Sequence, residues 1–497
     1  MLVFNPDSEI LLCSTPLESD NKNQLHFATE AAQEEYFLST VVRTYDGTTY
    51  QRKDDVIRIN ANIEDLYNCN YVMYQNRNFT NKWFYAFITD MTFLNNSTTA
   101  ITIETDVFQT WMFDVDIKPS FVSREHTNDD TIGANIVPED LETGPYVTTS
   151  FSRRQYNSMR IVVAATARPG GARYDGKLID GSYSGLNFFD VDASDTGAGA
   201  VNDLLQLYVD EGRLDAVTSI FMVPAFVINP KTENVQVTGV YGGIDGYTPR
   251  NNKLYTSQYY YLKVSNSAGD SKTFNFEDFG IPTQPVFMVK GTYNMMATIW
   301  CYPTEYAGLR SDFNDGLVLN VSPQCAWNGN VFANWYAQKY VSNAISLGSA
   351  LGQAAIGFAI HKPTIARMGV MSALNSVASM YEHSKIPAQQ KGNQSGDYDS
   401  ISLQKVEFVF EIMSIKAEMA RVIDDYFTMF GYQTNRVKVP NIGTRQNWNY
   451  VETQHINIVG DIPNDHMDRL KEVYNSGVTI WNNPDTFGDY SQANGVV

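Results

Sequence analysis

The side chains best placed to do chemistry together lie near the end of the chain, where Asp461, Asp465, His466 and Asp468 fall within eight residues. Carboxylates and an imidazole at that density are the donors a divalent metal accepts. The same residues sit where a helix would begin. Residues 464–474 read as a short amphipathic helix that stops before Gly477, with Asp465 and Asp468 in its opening turn. Acids there complement the free N–H groups and the positive end of the helix dipole. The helix start accounts for these residues without a ligand, so no metal ligand is assigned.

Other routes to catalysis have no motif. The chain has no GxSxG elbow, Walker loop, HExxH, or strand leading into GxGxxG. The six histidines, at 26, 126, 361, 383, 455 and 466, are scattered, and Cys13, Cys69, Cys301 and Cys325 show no CxxC spacing. A glycan-cleaving enzyme needs two carboxylates facing across a cleft. With 55 acids in the chain, sequence spacing cannot single out such a pair. No catalytic or cofactor-binding residue is assigned, and the chain reads as a protein that is not an enzyme.

Charge narrows the partners. Lys and Arg number 36 against 55 Asp and Glu, a net charge of -19, which disfavours a sequence-specific nucleic-acid reader. An acidic wall can still conduct DNA, because affinity for the phosphate backbone depends on Lys and Arg displacing counterions. The opening residues MLVFNPDSEI lack a basic n-region followed by an apolar h-region, which reads as a protein made in a cytoplasm.

A different chemistry, that of lipid, is written into residues 331–400, which turn abruptly from aromatic and β-rich to small and apolar. Residues 341–360 carry no charge, and Val341, Ile345, Leu347, Leu351, Ile356, Phe358 and Ile360 are strongly apolar. Twenty helical residues reach about 30 Å, the hydrocarbon thickness of a bilayer. Seven apolar side chains supply roughly -2 to -4 kcal/mol of insertion energy, much of it offset by Asn343, Gln353, three Ser and three Gly. The segment is therefore a marginal span, suited to being hidden in an assembly and inserted on release. Gly348 and Gly352 have the spacing that lets helices approach closely. Trp335, Tyr336 and Tyr340 suit a bilayer interface. Five bases against Glu382 alone across residues 331–391 favour an anionic surface. A buried helical hairpin or a linker is the competing reading of the same residues.

The elements around this segment are mostly strands. Thirty Tyr and 27 Phe, with many Thr, Val and Asn, favour pleated surfaces, and the fold class expected is mainly β with a few helices. Residues 37–60 read as a hairpin turning at Asp46-Gly47, and Asn62 as the cap of a short helix. Residues 82–113 read as a long aromatic hairpin whose turn is Asn95-Asn96-Ser97-Thr98. Short, Gly- and Pro-broken strands fill residues 150–324, and residues 175–280 hold 14 acids against 7 bases. Beyond residue 400 come the strand KVEFVFEIMSI, a helix with the stripe Met419, Val422, Ile423, Tyr426, Phe427 and Phe430 stopped by Gly431, and an alternating strand from Asn447 onward.

Two blocks carry a resemblance. DLYNCNYVMYQNRNFTNKWFYAFIT with DVFQTWMFDV and SFVSREHT, and later GYQTNRVKVPN with NWNYV, GDI and SGVTIWN, resemble the tail knob, or distal tube, proteins of small short-tailed bacteriophages infecting Gram-positive bacteria. The blocks cover about a fifth to a quarter of the chain.

The resemblance implies a virion protein at the tip of the tail, a homohexameric β-rich tube that meets an upstream tail or lower-collar protein. It passes phage DNA without specific binding and acts on the host cell membrane through an apolar loop that first plugs the tube. It also implies residues 1–150 and 401–497 as the tube wall and 331–400 as the membrane-active loop, while residues 151–330 carry no resemblance and read from their composition as an inserted loop-rich β domain. The competing functions are a tail-associated cell-wall hydrolase and a receptor-binding protein.

Overall fold

The computed structural model describes residues 8–46, 50–51, 55–77, 80–169, 177–178, 187–191, 201–213, 216–266, 269–292, 298–307, 316–320, 324–325 and 406–497. The chain divides into two compact units. The first comprises Met1–Thr143, Pro249–Leu254 and Glu418–Val497, and the second Gly144–Thr248 and Tyr255–Ala417. The fold is mainly β, in antiparallel sheets with a few helices.

Unit 1 has two main sheets. The larger contains β1 (Ser8–Cys13), β3 (Val41–Asp46), β4 (Tyr50–Gln51), β5 (Val56–Ile59), β6 (Tyr71–Asn76), β7 (Thr80–Asn95) and β8 (Thr98–Thr105), in the order β3-β1-β6-β7-β8-β5-β4. The long strand β7 serves both halves: Tyr85 and Phe87 pair with β6, and residues 86–95 pair with β8. One face gathers Ile10, Leu12, Ile57, Ile59, Val72, Tyr74, Ile101 and Ile103 into a single cluster. Val42 and Tyr45 of β3 pack against the same cluster as Ile57 and Ile59 of β5, which lies towards the other end of the strand order.

The second sheet joins distant parts of the chain. It contains β2 (Asn23–Leu25), β10 (Ser120–Glu125), β24 (Tyr432–Lys438), β25 (Trp448–Gln454) and β27 (Val478–Trp481), in the order β2-β27-β25-β10-β24. β2 runs parallel to β27, placing Leu25 beside Trp481. Trp448 and Trp481, wholly buried, pack with Leu11, Tyr71, Tyr85 and Phe87 from the larger sheet and with Phe37 of α1 (Glu30–Ser39). Burying two indoles and four other rings supplies about 150–250 Å² of apolar contact per ring, so this junction anchors the unit. A third cluster seats α2 (Val107–Trp111) and α6 (Asn464–Asn475) on β25 and on the pair β9 (Val115–Ile117) with β26 (Ile458–Gly460).

The described residues of unit 2 form three sheets. The first is β11 (Tyr146–Gln155), β23 (Glu407–Ile415), β17 (Tyr260–Ser265) and β18 (Ser271–Phe274), in that spatial order. The second runs β13 (Lys177–Leu178), β14 (Asn187–Val191), β12 (Met159–Ala165), β15 (Val217–Pro224), β22 (Gln324–Cys325), and the third β16 (Thr232–Gln236), β19 (Val286–Thr292), β20 (Thr298–Pro303), β21 (Leu317–Asn320). The helices α3 (Val201–Asp210) and α4 (Ala225–Ile228) also belong to it. α5 (Ala417–Phe430) follows β23 directly.

Several local expectations change on the structure. Residues 37–60 do not form one hairpin: β3 pairs with β1, whereas β5 pairs with β4 and β8. The core decides this, because β1 is buried along nearly its whole length and takes a partner on each edge, while Ile57 and Ile59 join Ile101 and Ile103. The second arm of the 82–113 hairpin ends at Thr105, since Asp106 accepts the N–H groups of Phe108 and Gln109 and starts α2. The alternation after Asn447 breaks at His455, whose φ of 59° separates β25 from β26. Asn62 caps a single 3-10 turn, Ile63–Asp65.

Candidate assembly surface

The membrane-active residues read from the sequence, Val341, Ile345, Leu347, Gly348, Leu351, Gly352, Ile356, Phe358 and Ile360, with Trp335, Tyr336 and Tyr340, lie outside the described residues. Among the described residues no helix is long and apolar enough to cross a membrane.

Of the acidic group near the C-terminus, Asp465 stands in the first turn of α6, and His466 is turned inward. Its Nδ1 accepts the indole N–H of Trp111 at 2.8 Å, which ties α6 to α2. Among the described residues no three His, Cys, Asp or Glu are grouped to hold a metal ion.

The most concentrated polar chemistry in unit 1 surrounds the strap Pro249–Leu254. Three carboxylates from separate stretches of chain grip it. Asp424 of α5, wholly buried, accepts the backbone N–H of Arg250 at 2.8 Å, that of Asn251 at 3.0 Å, and the Asn251 amide at 2.7 Å. Asp130 accepts the N–H of Asn252 at 3.1 Å and the Tyr432 hydroxyl at 2.5 Å.

Glu139 is shared by the Lys253 ammonium, the Arg124 guanidinium and the Gln433 N–H. Lys253 is 3% exposed, and burial pulls its ammonium below the usual lysine range while Glu139 opposes the shift. Burial also pushes the Asp130 carboxyl up, against the hydrogen bond from Tyr432. Removing one partner from so buried a group leaves the other charge uncompensated, at about 3–5 kcal/mol. The sequence shows these residues only as PRNNK at the end of a loop. Runs of Asn and base within a Gly-rich stretch are the sole signal that this loop is bound rather than solvated.

Two of the sheet edges in unit 1 carry large exposed apolar side chains. β7 loses its β6 neighbour after Phe87, where the Ile88 N–H bonds to the Asn70 carbonyl, and no described strand pairs with its outer side from there to the hairpin tip. That edge carries Phe93, 51% exposed, and Leu94. β24 is the outermost strand of its sheet. Its first half is covered by the Glu139 loop, and its second half leads outward with Val437, 72% exposed, and then Val439. Bare edges with large apolar side chains are a liability in a lone molecule. They are the ordinary means of joining copies in an assembly.

The fold itself has a precedent among phage tail parts. The solved tail knob protein gp12 of bacteriophage C1 superposes with a TM-score of 0.64 over 99% of this chain and 100% of that one, at 15% identity, which defines the architecture as that of a tail knob.

The family model for the C-terminal domain of the tail knob protein gp9 of Bacillus phage phi29 matches residues 224–495, and that for the N-terminus of caudoviral major tail proteins matches residues 8–116. The chain belongs to the family of phage tail knob proteins. It is similar to tail knob protein gp9 of Bacillus phage B103 at 24% identity, covering 98% of each chain, and to that of phi29 at 25% identity, covering 97% of this chain and 98% of the relative. The protein is thus a structural component of a phage tail, not an enzyme.

Proposed function

We propose that this chain forms the distal tube of a short phage tail as a homohexamer, conducts DNA through the lumen during ejection, and carries in residues 331–400 an apolar loop that plugs the tube and then penetrates the host membrane. Unit 1 supplies the tube wall in this reading. Its partners are further copies of itself, the upstream tail or lower-collar protein, the passing DNA and the host cell membrane.

The observation that carries the reading is the pairing of a tail knob fold with a segment unlike the rest of the chain: 20 uncharged residues, 341–360, within a region of five bases and one acid across 331–391. A protein of net charge -19 offers DNA a wall it would slide past rather than hold. The same membership disfavours a cell-wall hydrolase, for which no catalytic constellation stands out in the sequence.

Electron microscopy of the chain assembled with its upstream tail partner tests the tube. Closed six-copy rings with an open lumen are expected, and they should persist when residues 341–381 are cut out. Filaments without closure, or rings that need residues 341–381 to form, would overturn it.

A further inference from the structure

These two edges of unit 1 carry opposite charge. The 3-10 turn Ile63–Asp65 approaches β7, and exposed Glu64, Asp65 and Asp90 are the charges these stretches bring. No Lys or Arg occurs in residues 59–76 or 83–117. Residues 91–103, which form the hairpin tip and much of its return strand, have no charge at all. Arg58, on β5, is separated from β7 by β8.

The β24 edge is the converse. Residues 431–451 contain Arg436, Lys438 and Arg445 and no acid, a conspicuous stretch in a chain of net charge -19. Arg436 is exposed, its guanidinium donates to the Ala134 carbonyl at 3.0 Å, and Asp129 is near enough to feel its charge. Lys438 is paired with buried Glu125 at 2.6 Å, so Arg436 is the cation offered outward beside Val437.

Copies this acidic repel one another unless they meet where acids are absent or are matched by bases. Resting on the tube reading, we propose that successive copies join head to tail, residues 89–95 on the β7 edge of one copy docking against residues 435–439 on the β24 edge of the next. Phe93 and Leu94 then cover Val437 and Val439, Asp90 and its acidic neighbours face Arg436, and the backbone groups of two edges that no described strand pairs complete a common ladder. Five paired residues span roughly 17 Å. Because the two surfaces differ, the contact is heterologous, the kind that closes a ring. Uncharged, aromatic-bearing patches are also what interface centres favour.

The test uses full-length chains. Phe93→Cys or Leu94→Cys is made in one preparation and Val437→Cys in another, and these are mixed, oxidised and imaged beside the unsubstituted chain. Disulfide-linked pairs in the mixture, absent from either preparation alone, are expected. Rings that form without such links would overturn the edge assignment and leave the tube standing. Links arising equally within one preparation would mean a two-fold contact, and absence of both links and rings would overturn this contact and the tube together. Independently, Arg436→Glu should weaken self-association by about tenfold through like-charge opposition, and adding Asp90→Lys should restore most of it. An unchanged association in Arg436→Glu, or no recovery in the double variant of a folded chain, contradicts the proposal.

Discussion

Unit 1 and unit 2 are both β-rich, yet they are closed in different ways. Unit 1 is tied by residues far apart in sequence: Leu25 beside Trp481, Val122 beside Arg436 and Thr453, and the strap at Pro249–Leu254 beneath Asp424. Among the described residues of unit 2, many pairings join near neighbours, such as β19 with β20 and β13 with β14, while β23 returns late in the chain to join β11 and β17. Long-range closure costs more loop entropy and must be compensated by denser contact. The buried indole pair and the ionic strap supply that contact, and both lie in the unit that we assign to the tube wall.

The comparison can be broken most severely at the indoles. Trp481→Ala should destabilise unit 1 by about 3–5 kcal/mol, read as lost hydrogen-exchange protection in β2, β25 and β27, with the protection of β19 and β20 unchanged. Equal loss in both units would show that they share one cooperative core.

Lys253→Met comes next, at about 3 kcal/mol, because it leaves buried Glu139 with Arg124 alone among its cations. Exchange should quicken first at Gln433 and along α5. If the variant is as stable as its parent, the strap is a passenger.

A third test is pH dependence within unit 1. His126 is buried, its ring accepting the Tyr450 N–H and bonded to the Thr428 carbonyl, and burial lowers its pKa to about 3. It takes up a proton when unfolded and not when folded, so its contribution is lost as pH falls below about 6.5. Asp106 acts in the opposite sense. Burial raises its carboxyl to about 6, so its stabilising contribution is present below its unfolded value of about 4 and is lost as pH rises through about 6. The two oppose each other between pH 6 and 4. Asp106→Asn should therefore steepen the loss of stability over that window, measured by denaturant titration at each pH, and an unchanged slope would contradict the assignment.

The smallest effect belongs to unit 2. Arg154 grips Glu233 at the surface, with Tyr156 donating to the same carboxylate. Arg154 is half exposed, so Arg154→Ala should cost less than about 1 kcal/mol. A loss comparable with that at Lys253 would erase the distinction between the units.

What the sequence made legible follows the same division. The long hairpin of β7 and β8 with its turn at 95–98, the strand β23, α5 with its stop at Gly431, whose φ is 65°, and α6 all announce themselves by periodicity and end signals within short windows. The pairing of β3 with β1, and the turn of Asp106 from strand into helix cap, depend on what the core needs rather than on local pattern. The strap was illegible for a similar reason: Lys253 and Glu139 are 114 residues apart, and neither has a neighbour in sequence that foretells burial. The open edges escaped notice because exposure of Phe93 and Val437 is a property of the finished sheet.

Dye release from anionic liposomes is the most direct test of the proposed role at the tail tip. The purified chain is measured at neutral and mildly acidic pH, with and without residues 341–381. Release that requires those residues is the result expected of a membrane-penetrating tail knob. Release that continues without them, or none under either condition, would contradict the account and leave a tube protein whose apolar segment acts only as a plug or a core element.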